Sequence, residues 1–370
     1  MTYQLRVMLL LLFSSFIGWT QDSKELNNIA LDIEQRRYQL SANREQTISE
    51  LSALAKRISI LIENGKLAPP EMAAAYYYRA IAWTQINSLH YLDGKRMDEA
   101  LARQVLTDLN KVISGGIEYP PLGVRTSEEL YVAGSVAIMQ LHSESLAFSY
   151  WRKCAALDHA GCLNIMANAT LTGAGKQKVD FQEAINYHLK VFNTGTKYHC
   201  AGAYSAQSIA SIGYFTGTAT PQGDELFWIE RALDLTDQMA SEDKGQKPCV
   251  RSNMLIDEFL YRLARGDRQD ALLYDASTQP ELDPNSTQAV VGFISGQLTP
   301  RGFSSAVALA KNDVAKCPAY FSAIWYAELT NRHSLARQYY QDMLNVHVPN
   351  CDIEILYARK FKFSPQAKSR

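Results

Sequence analysis

The chain has 370 residues, of which 47% are hydrophobic and 20% charged, with 20 glycines and 12 prolines. This composition excludes a disordered or fibrous protein, because such chains are poorer in hydrophobic residues or far richer in glycine and proline. A formal net charge of -1 argues against nucleic-acid binding, which normally uses a strongly basic surface.

The first twenty residues have the features of a secretory signal peptide. Arg6 follows the free amine and precedes an apolar run from Val7 to Ile17, which is too short to span a bilayer. The alternative is an uncleaved anchor, since Gly18 and Thr20 do not form an A-x-A cleavage site. We therefore predict a periplasmic or secreted protein.

Beyond residue 20, apolar residues recur every three or four positions, and no long stretch alternates with the period of a strand. This spacing predicts an all-α fold. Gly65, the pair Gly115 and Gly116, and the pair Pro120 and Pro121 stand where helices are expected to end. The first predicted helices cover 23–41, 46–64, 70–89, 97–113, 127–140, 143–157 and 161–171. Their lengths and short polar connections indicate antiparallel hairpins.

An internal repeat lies in the middle of the chain. Residues 147–156 (AFSYWRKCAA) resemble residues 183–192 (EAINYHLKVF), and Ala147, Tyr150 and Lys153 match Ala184, Tyr187 and Lys190, each 37 positions later. A period between 20 and 50 residues is typical of repeat arrays. The segment between the two copies predicts a glycine turn followed by a new helix capped by Asp180.

The second copy and its turn resemble the Sel1-like repeat family. The matching positions are Leu171, Gly173, Gly175, Asp180, Ala184, Tyr187 and Lys190. The stretch from Cys154 to Cys162 is similar to secreted cysteine-rich Sel1 proteins, in which each repeat carries such a bridge. Phe192 departs from that pattern, because it occupies the place of the next repeat's first cysteine. The resemblance covers about residues 133–240 and implies a right-handed α-solenoid of antiparallel helix hairpins of the tetratricopeptide and Sel1-like type.

The resemblance also implies a curved surface that binds a peptide, a folded protein or a cell-wall component, and it implies no reaction. Looser matches to tetratricopeptide hairpins flank it. The predicted organisation is a signal peptide at 1–20, an N-terminal helical region at 21–125, Sel1-like repeats at 126–245, and a C-terminal helical region with a basic tail at 246–370.

Six cysteines, an even number, are expected to pair if the protein is exported to an oxidising compartment. Fifteen pairings are possible, and the helix pattern favours three local ones, namely Cys154 with Cys162, Cys200 with Cys249, and Cys317 with Cys351. We predict no metal site, because the sequence lacks C-x-x-C and its neighbours His199 and Cys200 are poorly placed to share one ion.

Aromatic residues on predicted first helices of hairpins are the candidate contacts for a protein or peptide partner, since solenoids bind through these helices. The candidates are Tyr76, Tyr77, Arg79, Trp83, Trp325 and Tyr326. The alternative is that these aromatic residues form the core between helices.

Enzyme signatures are absent from the sequence apart from residues 241–244 (SEDK), which match the S-x-x-K motif of penicillin-interacting enzymes without K-T-G or S-D-N. We predict no catalytic residue and no cofactor, and expect His159 and His188 at the surface. The basic tail from Arg359 predicts peripheral membrane contact at most, or a solvated helix end. The predicted function is an envelope protein-binding scaffold, with an envelope hydrolase or penicillin-interacting enzyme as the alternative.

Overall fold

The structure is a computed structural model that describes residues 21–37, 43–116, 118–119, 122, 124–194, 199–242, 251–278, 284–310, 315–346 and 351–361. Across these residues the chain forms seventeen α-helices and no β-strand. The all-α fold predicted from the hydrophobic spacing is therefore confirmed. The predicted signal peptide lies outside the described residues.

The chain divides into two compact units, Met1–Leu163 and Asn164–Arg370, here called the N-terminal and C-terminal units. The boundaries predicted near residues 125 and 245 fall inside these units. The first helices are α1 (Gln21–Arg37), α2 (Arg44–Asn64), α3 (Pro69–Leu92), α4 (Glu99–Gly115), α5 (Thr126–Met139), α6 (Glu144–Ala155) and α7 (Ala160–Thr172), the last of which contains the boundary.

Local sequence explains where helices of the N-terminal unit begin and end. The Asp98 carboxylate caps α4 by accepting two backbone hydrogen bonds from its first turn, at 2.9 and 3.1 Å. Gly65 after α2 and Gly116 after α4 have φ angles of 65° and 57°, a left-handed conformation that glycine adopts most easily. The stops predicted at these two glycines are confirmed, whereas Pro120 and Pro121 lie outside the described residues.

Consecutive helices of the N-terminal unit pack against each other, with α2 on α3, α3 on α4, and α5 on α6, and α1 also contacts α3. Because their connections are short, these neighbours form the hairpins that the sequence predicts. The pair α5 and α6 approaches closely where Gly134 faces the ring of Trp151. The absence of a side chain at Gly134 makes this approach possible.

The remaining helices are α8 (Phe181–Thr194), α9 (His199–Thr216), α10 (Glu225–Glu242), α11 (Arg251–Ala264), α12 (Asp270–Ser277), α13 (Pro284–Ile294), α14 (Pro300–Ala308), α15 (Lys316–Leu329), α16 (His333–Leu344) and α17 (Asp352–Ala358). Gly173 and Gly175 have φ angles of 84° and 61°, and Asp180 Oδ1 accepts the Glu183 N–H at 3.0 Å. The predicted turn and cap of the repeat are confirmed.

Two of the predicted disulfides are present. Cys154 is bonded to Cys162 and Cys317 to Cys351, with Cα–Cα distances of 5.8 and 5.6 Å. The third predicted pair includes Cys249, which lies outside the described residues. Both observed bridges close local loops, as the helix pattern predicts, and such bonds persist in oxidising compartments.

Candidate functional site

A groove of about 260 Å³ lies between α3 and α5 in the N-terminal unit. From α3 it is lined by Ile81, Thr84, Gln85 and Ser88, and from α5 and its end by Tyr131, Val132, Ser135, Val136, Met139 and Gln140. Each set follows the three- and four-residue spacing that places side chains on one face of a helix. One face of α3 and one face of α5 therefore line a common surface.

The groove combines apolar walls with a few hydroxyl groups. Met139 at its edge is 52% exposed, and a methionine side chain adapts readily to different ligand shapes. The hydroxyls of Thr84, Ser88 and Ser135 each donate to a backbone carbonyl of their own helix, at 2.8, 2.9 and 3.0 Å. Their lone pairs remain as acceptors, which is the mixture of surfaces that ligand-binding clefts usually show.

A buried amide network supports the groove. The backbone N–H of Asp98 donates to Asn87 Oδ1 at 2.6 Å, and Asn87 Nδ2 donates to Gln140 Oε1 at 2.9 Å. These bonds fix both amide orientations, because a backbone N–H can only donate. Gln140 Nε2 is then left without a hydrogen-bond partner among the atoms of the described chain.

Gln85 offers the complementary group. Its Nε2 donates to the backbone carbonyl of Arg36 at 2.9 Å, so its Oε1 must face away, and that oxygen has no partner within the described residues. A buried polar group without a partner is unfavourable by about 1 to 3 kcal/mol. Gln85 and Gln140 thus place one unsatisfied acceptor and one unsatisfied donor just beneath the groove.

The four residues of α3 that the sequence predicts to contact a partner do not line the groove. Tyr77 is buried in the core at 3% exposure, and Tyr76 and Trp83 are half-buried. Arg79 donates to both carboxylate oxygens of Asp108 on α4 at 2.7 Å. Arg79 therefore holds helices together, and partner contact by these four residues stays a prediction.

Trp325 and Tyr326 on α15 are buried in the core of the C-terminal unit, at 1% and 5% exposure. The Trp325 ring lies 4.8 Å from the Tyr261 ring and 4.9 Å from the Phe215 ring, between centroids. Edge-on contacts of this kind are typical of a packed aromatic core. The alternative weighed from the sequence, an inter-helix core, describes their position.

His188 on α8 is buried at 1% exposure, so the expectation of a surface histidine is wrong. Ala184 and Val191, one turn away on either side, are also buried, which places His188 on the packed face of the helix. Both ring nitrogens lack partners in the described structure. Burial lowers the pKa of His188 from 6.5 to about 4, because the charged ring would lose its hydration.

We expect acid to destabilise the wild-type chain relative to a His188→Leu variant. The unfolded histidine takes up a proton below pH 6.5 while the folded one resists until about pH 4, so native stability falls across this window and is unaffected above it. At pH 5.0 the relative loss should be roughly 2 kcal/mol. Urea unfolding of both chains at pH 7.5 and 5.0 measures it, and parallel losses in the two chains would contradict the assignment.

Glu129, near the start of α5, is fully buried at 0% exposure. Burial, with a smaller contribution from Glu118, raises the pKa of Glu129 to about 8. The carboxyl group is therefore mostly neutral at pH 7, and it adds little negative charge to the first turn of the helix that lines the groove.

A second cavity, of about 480 Å³, lies in the C-terminal unit and is lined by Ser304, Lys316, Tyr320 and Asp342, among others. Burial raises the pKa of Asp342. A serine nucleophile needs a base within hydrogen-bond reach, but Ser304 Oγ has no partner among the described residues. The cavity has polar groups without the contact that would activate a serine.

Two other predicted features are only partly described. The side chains of the S-x-x-K match at 241–244 lie outside the described residues, as does the tail after Phe361. The Nζ atom of Lys360, at the start of the tail, lies 3.7 Å from the centroid of the Tyr214 ring and donates to the Tyr214 carbonyl.

No helix in the described part of the chain is long and apolar enough to cross a membrane.

The spacing of residues 81, 84, 85 and 88 identifies one face of a helix in the sequence, but it does not show that α5 lies opposite that face. The prediction was based instead on the aromatic residues of α3, namely Tyr76, Tyr77 and Trp83. Residue type identified large side chains, whereas their burial depends on which neighbouring helices cover them.

Comparison with known proteins gives no match to a protein-family model and none to a curated protein. Two similar solved structures are a protective antigen present in uropathogenic Escherichia coli strains, which displays an SLR fold, and a Sel1 repeat protein from Oxalobacter formigenes. The first is 13% identical with a TM-score of 0.39, covering 88% of this chain and 68% of the antigen. The second is 14% identical with a TM-score of 0.38, covering 90% and 93%. These structural neighbours are Sel1 repeat proteins, the family that the sequence resembles.

Proposed function

We propose that this chain is a scaffold that binds a protein or peptide partner in the cell envelope, through the groove between α3 and α5. The observation that carries the proposal is the groove itself, with apolar walls and unsatisfied amide atoms of Gln85 and Gln140 beneath it. A peptide backbone presents both a donor and an acceptor, and an adaptable methionine at the edge suits side chains of different shape.

A periplasmic or secreted location is part of the proposal. The two local disulfides support it, because such bonds persist in oxidising compartments and are rare in the cytosol. The basic residues and Phe361 of the tail could add peripheral contact with an anionic membrane surface. The alternative is an envelope hydrolase or a penicillin-interacting enzyme, which would need an activated nucleophile.

A Ser135→Arg variant should weaken partner binding, because the long side chain would fill the groove. Peptides selected by display on the oxidised full-length chain provide the ligand, and fluorescence anisotropy measures their affinity. We expect at least a tenfold loss, since an anchor in a desolvated pocket typically contributes more than 1.4 kcal/mol.

Ser52→Arg on α2 is the matched control. Ser52 is also half-buried and its hydroxyl donates to a carbonyl four residues earlier, at 2.7 Å, but it does not line the groove. Equal affinity of the two variants would place the binding surface elsewhere. If a correctly folded chain selects no peptide, the enzyme alternative should be tested with envelope substrates.

A further inference from the structure

A cluster of potential metal ligands lies where α5, α6 and α7 meet in the N-terminal unit. Ligand atoms of Cys154, His159 and Cys162 all lie within 4.8 Å of one another. Cys154 is near the end of α6, and Cys162 is in the first turn of α7. Both cysteines are fully buried, while the His159 side chain is 20% exposed, so the cluster has an approach from solvent on the histidine side.

The neighbours of His159 orient its ring toward the cysteines. Nε2 lies 3.1 Å from the Glu128 carboxylate, and Nδ1 is on the opposite side, 3.4 Å from the backbone N–H of Cys162. When Nε2 carries the proton and donates to Glu128, the lone pair of Nδ1 accepts the Cys162 N–H. A metal ion bound at Nδ1 would replace this long hydrogen bond. A carboxylate that holds the far nitrogen in this way is the usual outer partner of a metal-bound histidine.

Close packing limits the movement of this ring. The Tyr131 ring lies 5.1 Å from the His159 ring between centroids, with 30° between their planes. A Cβ atom at Gly161 would come within 3.0 Å of Tyr131 and 3.2 Å of His159. Gly161 therefore leaves the space in which the two rings meet, and the imidazole is held between Tyr131 and the cysteines.

We propose that the reduced N-terminal unit binds Zn²⁺ through Cys154, Cys162 and His159, with Glu128 as a positioning residue. Zinc bonds to sulfur and nitrogen of about 2.3 and 2.0 Å place neighbouring tetrahedral ligands about 3.5 to 3.8 Å apart. The histidine nitrogen already lies within 4.8 Å of both sulfurs, and the two sulfurs must move apart once the disulfide between them is reduced. A water molecule can supply the fourth ligand from the exposed side of His159. The site therefore has two chemical states, a disulfide when oxidised and a zinc site when reduced.

Reduction of the disulfide precedes zinc binding. A dithiol reductant transfers two electrons and two protons to the Cys154–Cys162 bond, which becomes two thiols while the reductant becomes a disulfide. Zn²⁺ then displaces one proton from each thiol. The two thiolates offset the charge of the ion, which makes binding at these buried sulfurs favourable.

The test uses the full-length chain reduced with a phosphine, with and without one equivalent of Zn²⁺. Alkylation with iodoacetamide, mapped by mass spectrometry, reports each cysteine separately. We expect zinc to slow the alkylation of Cys154 and Cys162 at least tenfold and to leave Cys317 and Cys351 unchanged. Equal protection of all four would overturn the proposal, and so would unfolding of the reduced chain, because all cysteines would then react alike.

Variants of His159 and Glu128 test whether the histidine is a zinc ligand or whether the two sulfurs bind zinc without it. His159→Asn should weaken zinc binding at least tenfold, and Glu128→Gln about tenfold, measured by competition with a chromogenic chelator. His142→Asn is the control, because His142 is exposed in the same unit and asparagine tolerates its φ of 51°. Unchanged zinc affinity in His159→Asn would contradict the proposed ligand set.

Discussion

An Arg79→Met variant is expected to lose about 3 to 5 kcal/mol of stability in the N-terminal unit, the usual result of breaking a buried ion pair by removing one partner. Asp108 is fully buried at 0% exposure, and Arg79 approaches both of its oxygens at 2.7 Å. Without Arg79, the carboxylate would keep one bond, from Gln104 at 3.2 Å. That single bond cannot replace the hydration that the carboxylate lost on folding.

Urea unfolding followed by far-UV circular dichroism measures this loss. Arg57→Ala is the control, since Arg57 and Glu25 form an exposed pair at 2.9 Å and such pairs contribute less than about 1 kcal/mol. The double variant Arg79→Met, Asp108→Leu should recover much of the loss, because no charge is then left unpaired. An Arg79→Met chain with normal stability and weakened partner binding would instead support the binding role predicted from the sequence.

Gly134→Ala is expected to destabilise the same unit by about 2 kcal/mol, although alanine is the better helix former. A Cβ atom at this position would lie 2.2 Å from Nε1 and 2.5 Å from Cδ1 of Trp151, so α5 and α6 would have to separate. Overpacking costs about 1 to 3 kcal/mol, and an overlap as short as 2.2 Å belongs at the upper end of that range. Higher helix propensity offsets roughly 1 kcal/mol of the cost.

A double-mutant cycle with Trp151→Phe tests the cause. The smaller ring leaves room for the added methyl group, so the alanine substitution should cost much less in the Trp151→Phe background, with a coupling free energy above about 1 kcal/mol. Thermal unfolding of the four chains measures this coupling. Additive effects would mean that the destabilisation does not arise from contact with Trp151.

Local sequence patterns predict local structure, but they do not predict contacts between residues that are distant in the sequence. The turn at Gly173 and the cap at Asp180 depend on backbone preferences within a few residues, and both are found as predicted. The role of Arg79 depends on Asp108, 29 positions later, and no local pattern pairs them. The cluster of Cys154, His159 and Cys162 was also missed, because its spacing differs from common zinc motifs and two of its members were assigned to a disulfide.

The sequence by itself determined the all-α class, the helix ends at Gly65 and Gly116, the repeat turn and two disulfide pairs. These features follow from hydrophobic periodicity, from glycine and capping residues, and from short loops between cysteines, all of which act over short distances along the chain. Only the tertiary structure decided that Tyr77, Trp325 and His188 are buried, that Arg79 is paired, and that α3 and α5 line a groove. Burial and pairing depend on which helix faces meet, and an aromatic or charged residue at helical spacing is compatible with either a core or a surface until its neighbours are in place.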